Sequence, residues 1–314
     1  MKRRIKDALK RLLFRFYKLG SRFGVHILPA HYYVAVPSII ELERTRDEWQ
    51  KRSELPGLHT ELDEQLDRLR AVCLPHQGEY AGNTAYLQGV ARSYGPGYGY
   101  VEAQALHAFI RHYAPKQIIE VGSGVSTHCM LTALELNRRD NGDQTTLTCV
   151  EPFPSAWLRK SPDAELLERR VQAVPVDVFR GLKSGDFLFI DSSHTVKPGS
   201  DVNYLILEVL PVLAPGVLVH LHDIHLPYDY QRNVLKTYLH WSETSLLRAY
   251  LTHNDRVAIL FCLSHLHYDR PEQLKQIFPE YDPAPDIEGL NPDSVRPFEQ
   301  PQRHFPSSIY LETR

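Results

Sequence analysis

Long apolar runs are missing from this chain. No stretch approaches the roughly 20 consecutive apolar residues that a bilayer-spanning helix needs, and no uninterrupted apolar core of a signal peptide is present. Cysteine is scarce. Cys73, Cys129, Cys149 and Cys262 form no C-x-x-C pair and match no zinc-ligand spacing. Cys129, Cys149 and Cys262 each sit among apolar neighbours, as small buried thiols do in a reducing compartment. These lacks point to a cytoplasmic protein. An excess of charge is missing too: 36 Lys and Arg against 38 Asp and Glu leave a formal net charge of −2. That balance excludes a general polyanion binder, and no nucleic-acid partner is expected. What is present is a 43% hydrophobic chain of 314 residues. It is enough for one large domain with additions, or at most two domains.

Charge balance fails locally at the N-terminus. Residues 1–24 carry nine Lys or Arg against a single acid, Asp7. Ile5, Leu9, Leu12, Leu13 and Phe16 recur at helical spacing and share one face, while Lys6, Lys10, Arg11, Arg15 and Lys18 fall mostly on the other. Such a basic amphipathic helix can lie in an anionic membrane interface, giving a cytoplasmic protein a peripheral membrane contact. The same pattern also suits a helix packed on the domain or on a second subunit of a homo-oligomer. A third reading, a mitochondrial presequence, sits poorly with the few serines.

Residues 25–100 read as an irregular, partly helical region that could form a lid or a dimer contact. Helices are expected at Ser38–Arg52 and Thr60–Val72, with Pro37, Pro56 and Gly57 as breakers. The loop Ser93–Tyr100, rich in glycine and tyrosine, leads into a helix at Val101–Tyr113 that stops before Pro115. From residue 101 to 314 short apolar runs alternate with helical stretches. Strands are expected at Gln117–Val121, Thr145–Val150, Val171–Val176, Phe187–Ile190 and Val217–Leu221. Helices are expected between them at Thr127–Asn137, Ala156–Leu167 and Asp201–Leu213, with Ser200 or Asp201 as a cap. This alternation predicts an α/β, Rossmann-like, mostly parallel sheet with helices on both faces. A helix at Tyr230–Tyr250, a strand at Val257–Leu263, a Pro-rich segment over 278–306 and a last strand at Ile309–Leu311 then suggest an antiparallel edge hairpin.

The strongest local signal is Glu120-Val121-Gly122-Ser123-Gly124-Val125-Ser126-Thr127. A strand ends, two glycines turn, and a helix begins. A ligand that approaches backbone closely needs glycine there, and helix-start amides are free to bind polar groups. Thr127 stands where the dinucleotide fingerprint G-x-G-x-x-G places its third glycine, which counts against NAD or FAD. Glu120 is an acid at an apolar position and needs partners, which loop amides and a ligand's cationic amino group would supply. Glu151, after the second strand, is placed to accept from ribose hydroxyls. Asp177, after the expected third strand, is a candidate for an adenine amino group, with a helix cap or turn acid as the alternative.

The ends of the fourth and fifth strands carry Asp191, His194, His222, Asp223 and His225. In an open parallel sheet these ends line one crevice, so the five can converge. His220 and His222 share a face, while Asp223 starts the turn. Asp191, His222 and Asp223 form an adequate set for Mg, Mn or Fe, with His194 and Asp191 as the groups for the chemistry. Tyr98, Tyr100, His225 and Tyr228 are candidates to contact an acceptor.

The ordered runs EVGSGVST, CVEP, DFLFIDSSH and VHLHDIHLPYDY resemble the class I S-adenosylmethionine (SAM)-dependent methyltransferases. They are more narrowly similar to the bacterial macrocin-type sugar O-methyltransferases, with more distant likeness to the catechol and caffeoyl-CoA enzymes. The resemblance spans about residues 95–265 and the SSIYLE ending. It implies a seven-stranded sheet and SAM in the cleft after the first strand. Glu120, Gly122, Gly124 and Ser126 would surround that SAM, and Glu151 would meet its ribose; Ser123, Thr127 and Asp177 are cofactor candidates by their place in the chain, not by the resemblance. His222 stands where that family often has an acid, and Ile224 where the catechol type has Asn. The expected activity is O-methylation of a small hydroxylated acceptor, a sugar or secondary metabolite, with metal assistance. The alternatives are an NAD-dependent oxidoreductase and a non-catalytic SAM-binding protein of a membrane-associated assembly.

Overall fold

The structure is a computed structural model, and it describes residues 2–29, 31, 33–92, 94, 97–232, 234–283 and 305–314. Ser93, Gly95 and Pro96 of the tyrosine loop, and most of the Pro-rich segment, lie outside the described residues. The chain divides into two compact units, residues 1–49 and 50–314.

The first unit is helical. Lys2–Ser21 forms one helix, followed by short helices at Ile39–Arg44 and Arg46–Trp49. Ser38 caps the second by accepting from Glu41 N, and Trp49 Nε1 donates to Leu42 O at 2.8 Å. Leu9, Leu12, Leu13, Phe16 and Leu19 are all exposed, so the apolar stripe of the first helix is open to solvent. Among the described residues, no helix is long and apolar enough to cross a membrane.

The second unit is built on seven strands: β1 Gln117–Val121, β2 Thr146–Val150, β3 Glu165–Leu167, β4 Phe187–Ile190, β5 Leu218–Leu221, β6 Val257–Cys262 and β7 Ile309–Thr313. Their order is β3-β2-β1-β4-β5-β7-β6, with β7 antiparallel to both neighbours and the β1 to β5 pairings parallel. An antiparallel strand inserted beside β5 departs from the 3-2-1-4-5-6 order of dinucleotide-binding sheets. Alternation divides the core. Phe187 and Phe189 join Phe109, Ile118 and Tyr310 on one face, while Leu188 and Ile190 join Ile119, Val121 and Leu221 on the other. The edge of β6 is covered by the helix Leu62–Cys73, whose Arg68 donates to Ile259 and Leu260 carbonyls and whose Gln65 accepts from Cys262 N.

Three expectations fail. The expected third strand, Val171–Val176, is a 3₁₀ turn at Val171–Ala173 followed by a short helix at Val176–Arg180. Pro175 sits between them and cannot donate to a ladder. The third strand is instead Glu165–Leu167, within the stretch expected to be helical from Ala156, where Pro162 breaks the run. The expected helix from Tyr230 begins only at Glu243. Before it, the Gln231 side chain donates to Leu239 O and accepts from Trp241 N, holding that stretch as a loop.

Candidate active site

The loop between β1 and the helix Val125–Asn141 is closed on itself. Gly122 has φ +84°, and a Cβ there would come within 2.0 Å of Asp191 O, so the ends of β1 and β4 meet at this glycine. Its amide donates to Val150 O at 3.1 Å. Ser123 N donates to Glu151 Oε2 and Gly124 N to Thr127 Oγ1, each at 3.0 Å. These three loop amides are therefore engaged within the protein; they precede the first helical residue, Val125. Glu120 lies wholly buried beneath the loop. It accepts from Ser126 Oγ and Thr127 Oγ1 at 2.7 Å each and from Cys149 Sγ at 3.2 Å. Burial raises its pKa to about 7 against the opposing effect of those hydrogen bonds. It supports the loop from below.

In front of the loop is a cleft of about 480 Å³, lined among others by Gly122, Glu151, Phe153, Val171, Asp191 and Asp201. That is a size suited to a cofactor. Glu151 accepts from Ser123 and from Phe153 N at 2.8 Å, and its carboxylate keeps lone pairs for further donors. Phe153, missed in the sequence, is 84% exposed at this cleft. Asp177 does not line it. It is exposed in the first turn of Val176–Arg180 and pairs with Arg180, because the third strand ends ten residues before it rather than beside it.

Beside the cleft, four side chains form a ring in which one nitrogen of each imidazole contacts both carboxylates. His194 Nε2 lies 3.3 Å from Asp191 Oδ1 and 3.4 Å from Asp223 Oδ2. His222 Nδ1 lies at the same two distances from the same two atoms. Ligand atoms of Asp191, His194 and His222 all fall within 4.8 Å of one another. His194 therefore stands on the same footing as His222, although the sequence set it apart. Both ring nitrogens of His222 are buried without a well-aligned hydrogen bond. Orphaned donors of this kind, amid mixed nitrogen and oxygen atoms, fit a divalent cation. His194 and Asp223 adopt φ +57° and +54°, a left-handed backbone that side chains avoid unless their surroundings enforce it.

The loops bearing the ring are fastened at the start of the helix Glu243–Leu251. Ser242 N and Glu243 N both donate to His194 O, Val196 N donates to Ser242 Oγ, and His225 N donates to Thr244 Oγ1. Ser307, just before β7, donates to Asp223 Oδ1 at 3.0 Å. Behind the ring, His194 Nδ1 bonds Glu243 Oε2 at 2.8 Å, and His222 Nε2 lies 3.2 Å from Glu102 Oε1.

Burial opposes charge on every member, and the partners decide the outcome. Burial would pull His194 down, yet Asp191 and Glu243 bonding to it with Asp223 nearby lifts it to about 10. His222 is also raised, by Asp223, Glu102 and Asp191 against burial. Burial pushes Asp191 and Asp223 up, yet the charges and hydrogen bonds of His222 and His194 together hold both below the usual carboxylate range. Burial pushes Glu243 up and His220 down. His225 falls to about 4, chiefly by burial.

The aromatic candidates are not at the cleft mouth. Tyr98 is buried, with its ring 5.0 Å from that of His222 and its hydroxyl 3.4 Å from His220 Nε2. Tyr100 packs in the core against Tyr86, and Tyr228 against Tyr268. His225 is buried and stacks on Trp241 and Phe305.

Comparison with known proteins adds one assignment. Residues 119–224 match a family model described as a methyltransferase domain. An uncharacterised protein of Archaeoglobus fulgidus is 28% identical over 186 residues, covering 55% of this chain and 80% of that protein. A SAH-bound methyltransferase from Podospora anserina aligns at 11% identity over 92% of this chain and 99% of its own, with a TM-score of 0.39.

Proposed function

We propose that this SAM-dependent methyltransferase transfers its methyl group to a hydroxyl oxygen of a small acceptor, a sugar or secondary metabolite as in the macrocin-like enzymes, with a divalent cation held by Asp191, His194, His222 and Asp223. One observation carries the reading. Asp191 lines the cofactor-sized cleft and also contributes Oδ1 to the ring, so the two sites share a side chain.

The residues divide the work. Glu151 accepts from the ribose hydroxyls, and Phe153 and Val171 supply apolar cover for the adenine. Gly122 lets the loop sit close against Asp191. The sulfonium of SAM is already a good leaving group, so the protein mainly has to place the acceptor oxygen in line with the methyl carbon and sulfur. A divalent cation held by Asp191, His194, His222 and Asp223 would supply the remaining need, lowering the acceptor hydroxyl's pKa. Two imidazoles with two carboxylates suit Mn or Fe better than Mg, which prefers oxygen alone.

The test is transfer from radiolabelled SAM to a panel of hydroxylated acceptors. EDTA treatment should abolish transfer and Mn²⁺ should restore it. Asp191→Asn should slow it by about a hundredfold or more, since several kcal/mol of charge stabilisation are lost. Full activity in metal-free protein would remove the cation from the reading.

We also infer that residues 1–24 lie on an anionic membrane surface. The exposed apolar stripe and the basic opposite face support this.

A further inference from the structure

Each imidazole of the ring has a second nitrogen that faces away from it, and a carboxylate stands behind each. Glu243 lies behind His194 and Glu102 behind His222. Glu102 and Glu243 are 2% and 1% exposed. Neither lines the cleft. A carboxylate is costly to bury unless it is paired. They come from separate parts of the chain: Glu102 from the first turn of Tyr100–Tyr113, Glu243 from the first turn of Glu243–Leu251. The two contacts differ in closeness: His194 Nδ1 bonds Glu243 Oε2 at 2.8 Å, while His222 Nε2 lies 3.2 Å from Glu102 Oε1 without an aligned hydrogen bond, a small adjustment away from one.

Glu102 is placed with particular care. Its Oε1 accepts from Ser308 Oγ, the residue just before β7. Its side chain folds back over Gly99, where a Cβ would come 2.1 Å from Oε2. Gly99 has an ordinary extended backbone (φ −81°), so its requirement is for space and not for an unusual angle. The glycine leaves room for the carboxylate.

We propose that Glu102 and Glu243 are positioning residues that fix the tautomer and ring plane of the two imidazoles, so that His222 Nδ1 and His194 Nε2 turn their lone pairs toward a cation in the ring. The inference rests on the ring being a cation site. An imidazole that donates its far N–H to a carboxylate has a more basic near nitrogen, which a cation takes over in place of a proton, and its plane stops turning. Without the carboxylate, either tautomer is accessible and the ring can present a proton to the cation instead of a lone pair.

Mn²⁺ titrated into the EDTA-stripped full-length protein, followed by calorimetry and by the resonance of free Mn²⁺, tests this. Glu102→Ala and Glu243→Ala should each weaken Mn²⁺ binding about 10- to 100-fold. Glu102→Gln and Glu243→Gln keep an acceptor oxygen and should lose less than the alanine variants. Gly99→Ala should also weaken Mn²⁺ binding, since it displaces the Glu102 carboxylate while leaving every ring residue intact. SAM affinity, measured on the same samples, should stay at the wild-type value. If the variants bind Mn²⁺ as tightly as the wild type, the inference fails and the cation site stands. If they lose SAM and Mn²⁺ together, the glutamates support the fold and the inference fails. If the wild type binds neither Mn²⁺ nor Fe²⁺, the inference and the cation reading fall together.

Discussion

Glu120 shows how one buried carboxyl can couple the glycine loop to pH. Its pKa of about 7 lies above the ordinary 4.5, because burial outweighs three hydrogen bonds to it. Below pH 4.5 native and unfolded chains both hold the proton, and its contribution to stability is complete. As pH rises toward 7 the unfolded chain ionises while the native one does not, so stability is lost. A shift of this size corresponds to about 3 kcal/mol. Glu120→Gln removes the titration. The stability difference between wild type and variant, from urea unfolding at pH 4.5, 6 and 8, should therefore fall by about 3 kcal/mol in the variant's favour. A difference that does not change with pH would mean that Glu120 is ionised throughout. Glu120 was legible in the sequence as an acid at an apolar position, but its partners were not: they are the hydroxyls of Ser126 and Thr127, which read as helix start. Glu102 left a similar trace, an acid in a helix whose residues from Tyr100 to Ile110 are all buried. Glu243 left none, because a first-turn acid is what a solvated helix also shows.

At the scale of elements, strand ends carry the site and their legibility depended on burial. β1 and β4, covered on both faces, appear within the bounds their apolar runs predict. β3 does not. It is three residues long, pairs on one side, and is half exposed, so it shows no apolar run. The apolar residues after it, Val171 and Val174, are buried but belong to a turn. Misplacing this strand is what displaced Asp177 from the cleft. The junction of β1 with β4 makes a sharper prediction. Gly122→Ala puts a methyl 2.0 Å from the Asp191 carbonyl, a backbone atom that cannot swing aside, and imposes a left-handed angle on alanine. The two effects together should cost about 2–5 kcal/mol and weaken SAM binding. Gly142→Ala is the matched comparison. It also has a positive φ, at the end of Val125–Asn141, but among the described residues nothing lies within 4 Å of where its Cβ would be. It should cost about 1–2 kcal/mol and leave SAM binding intact. Equal losses in thermal unfolding would show that close approach at Gly122 contributes nothing.

At the scale of the whole molecule, charge is distributed in a way the balanced total conceals. Nine of the 36 Lys and Arg fall in residues 1–24, so the remainder of the chain is acidic. The exposed Leu9, Leu12, Leu13, Phe16 and Leu19 bring apolar area to the same helix. Each such side chain gains about 1.5 kcal/mol or more on leaving water, and each basic residue near an anionic surface about 1 kcal/mol. Either contribution alone is modest against the cost of ordering a segment; together they should hold the protein on a bilayer. Flotation of the full-length protein with vesicles containing phosphatidylserine should recover it, and neutral phosphatidylcholine vesicles should recover much less. Raising the salt should weaken the association, because screening reaches only about 10 Å at 0.1 M and less above it. Leu12→Glu with Phe16→Glu removes two apolar anchors and adds repulsion, and should reduce binding at least about tenfold. SAM affinity of that variant should be unchanged, since both substitutions lie in the 1–49 unit and the cleft in the other. If the double variant floats as well as the wild type, or neutral vesicles recover as much protein as anionic ones, the helix face serves another purpose and the membrane is not what covers it.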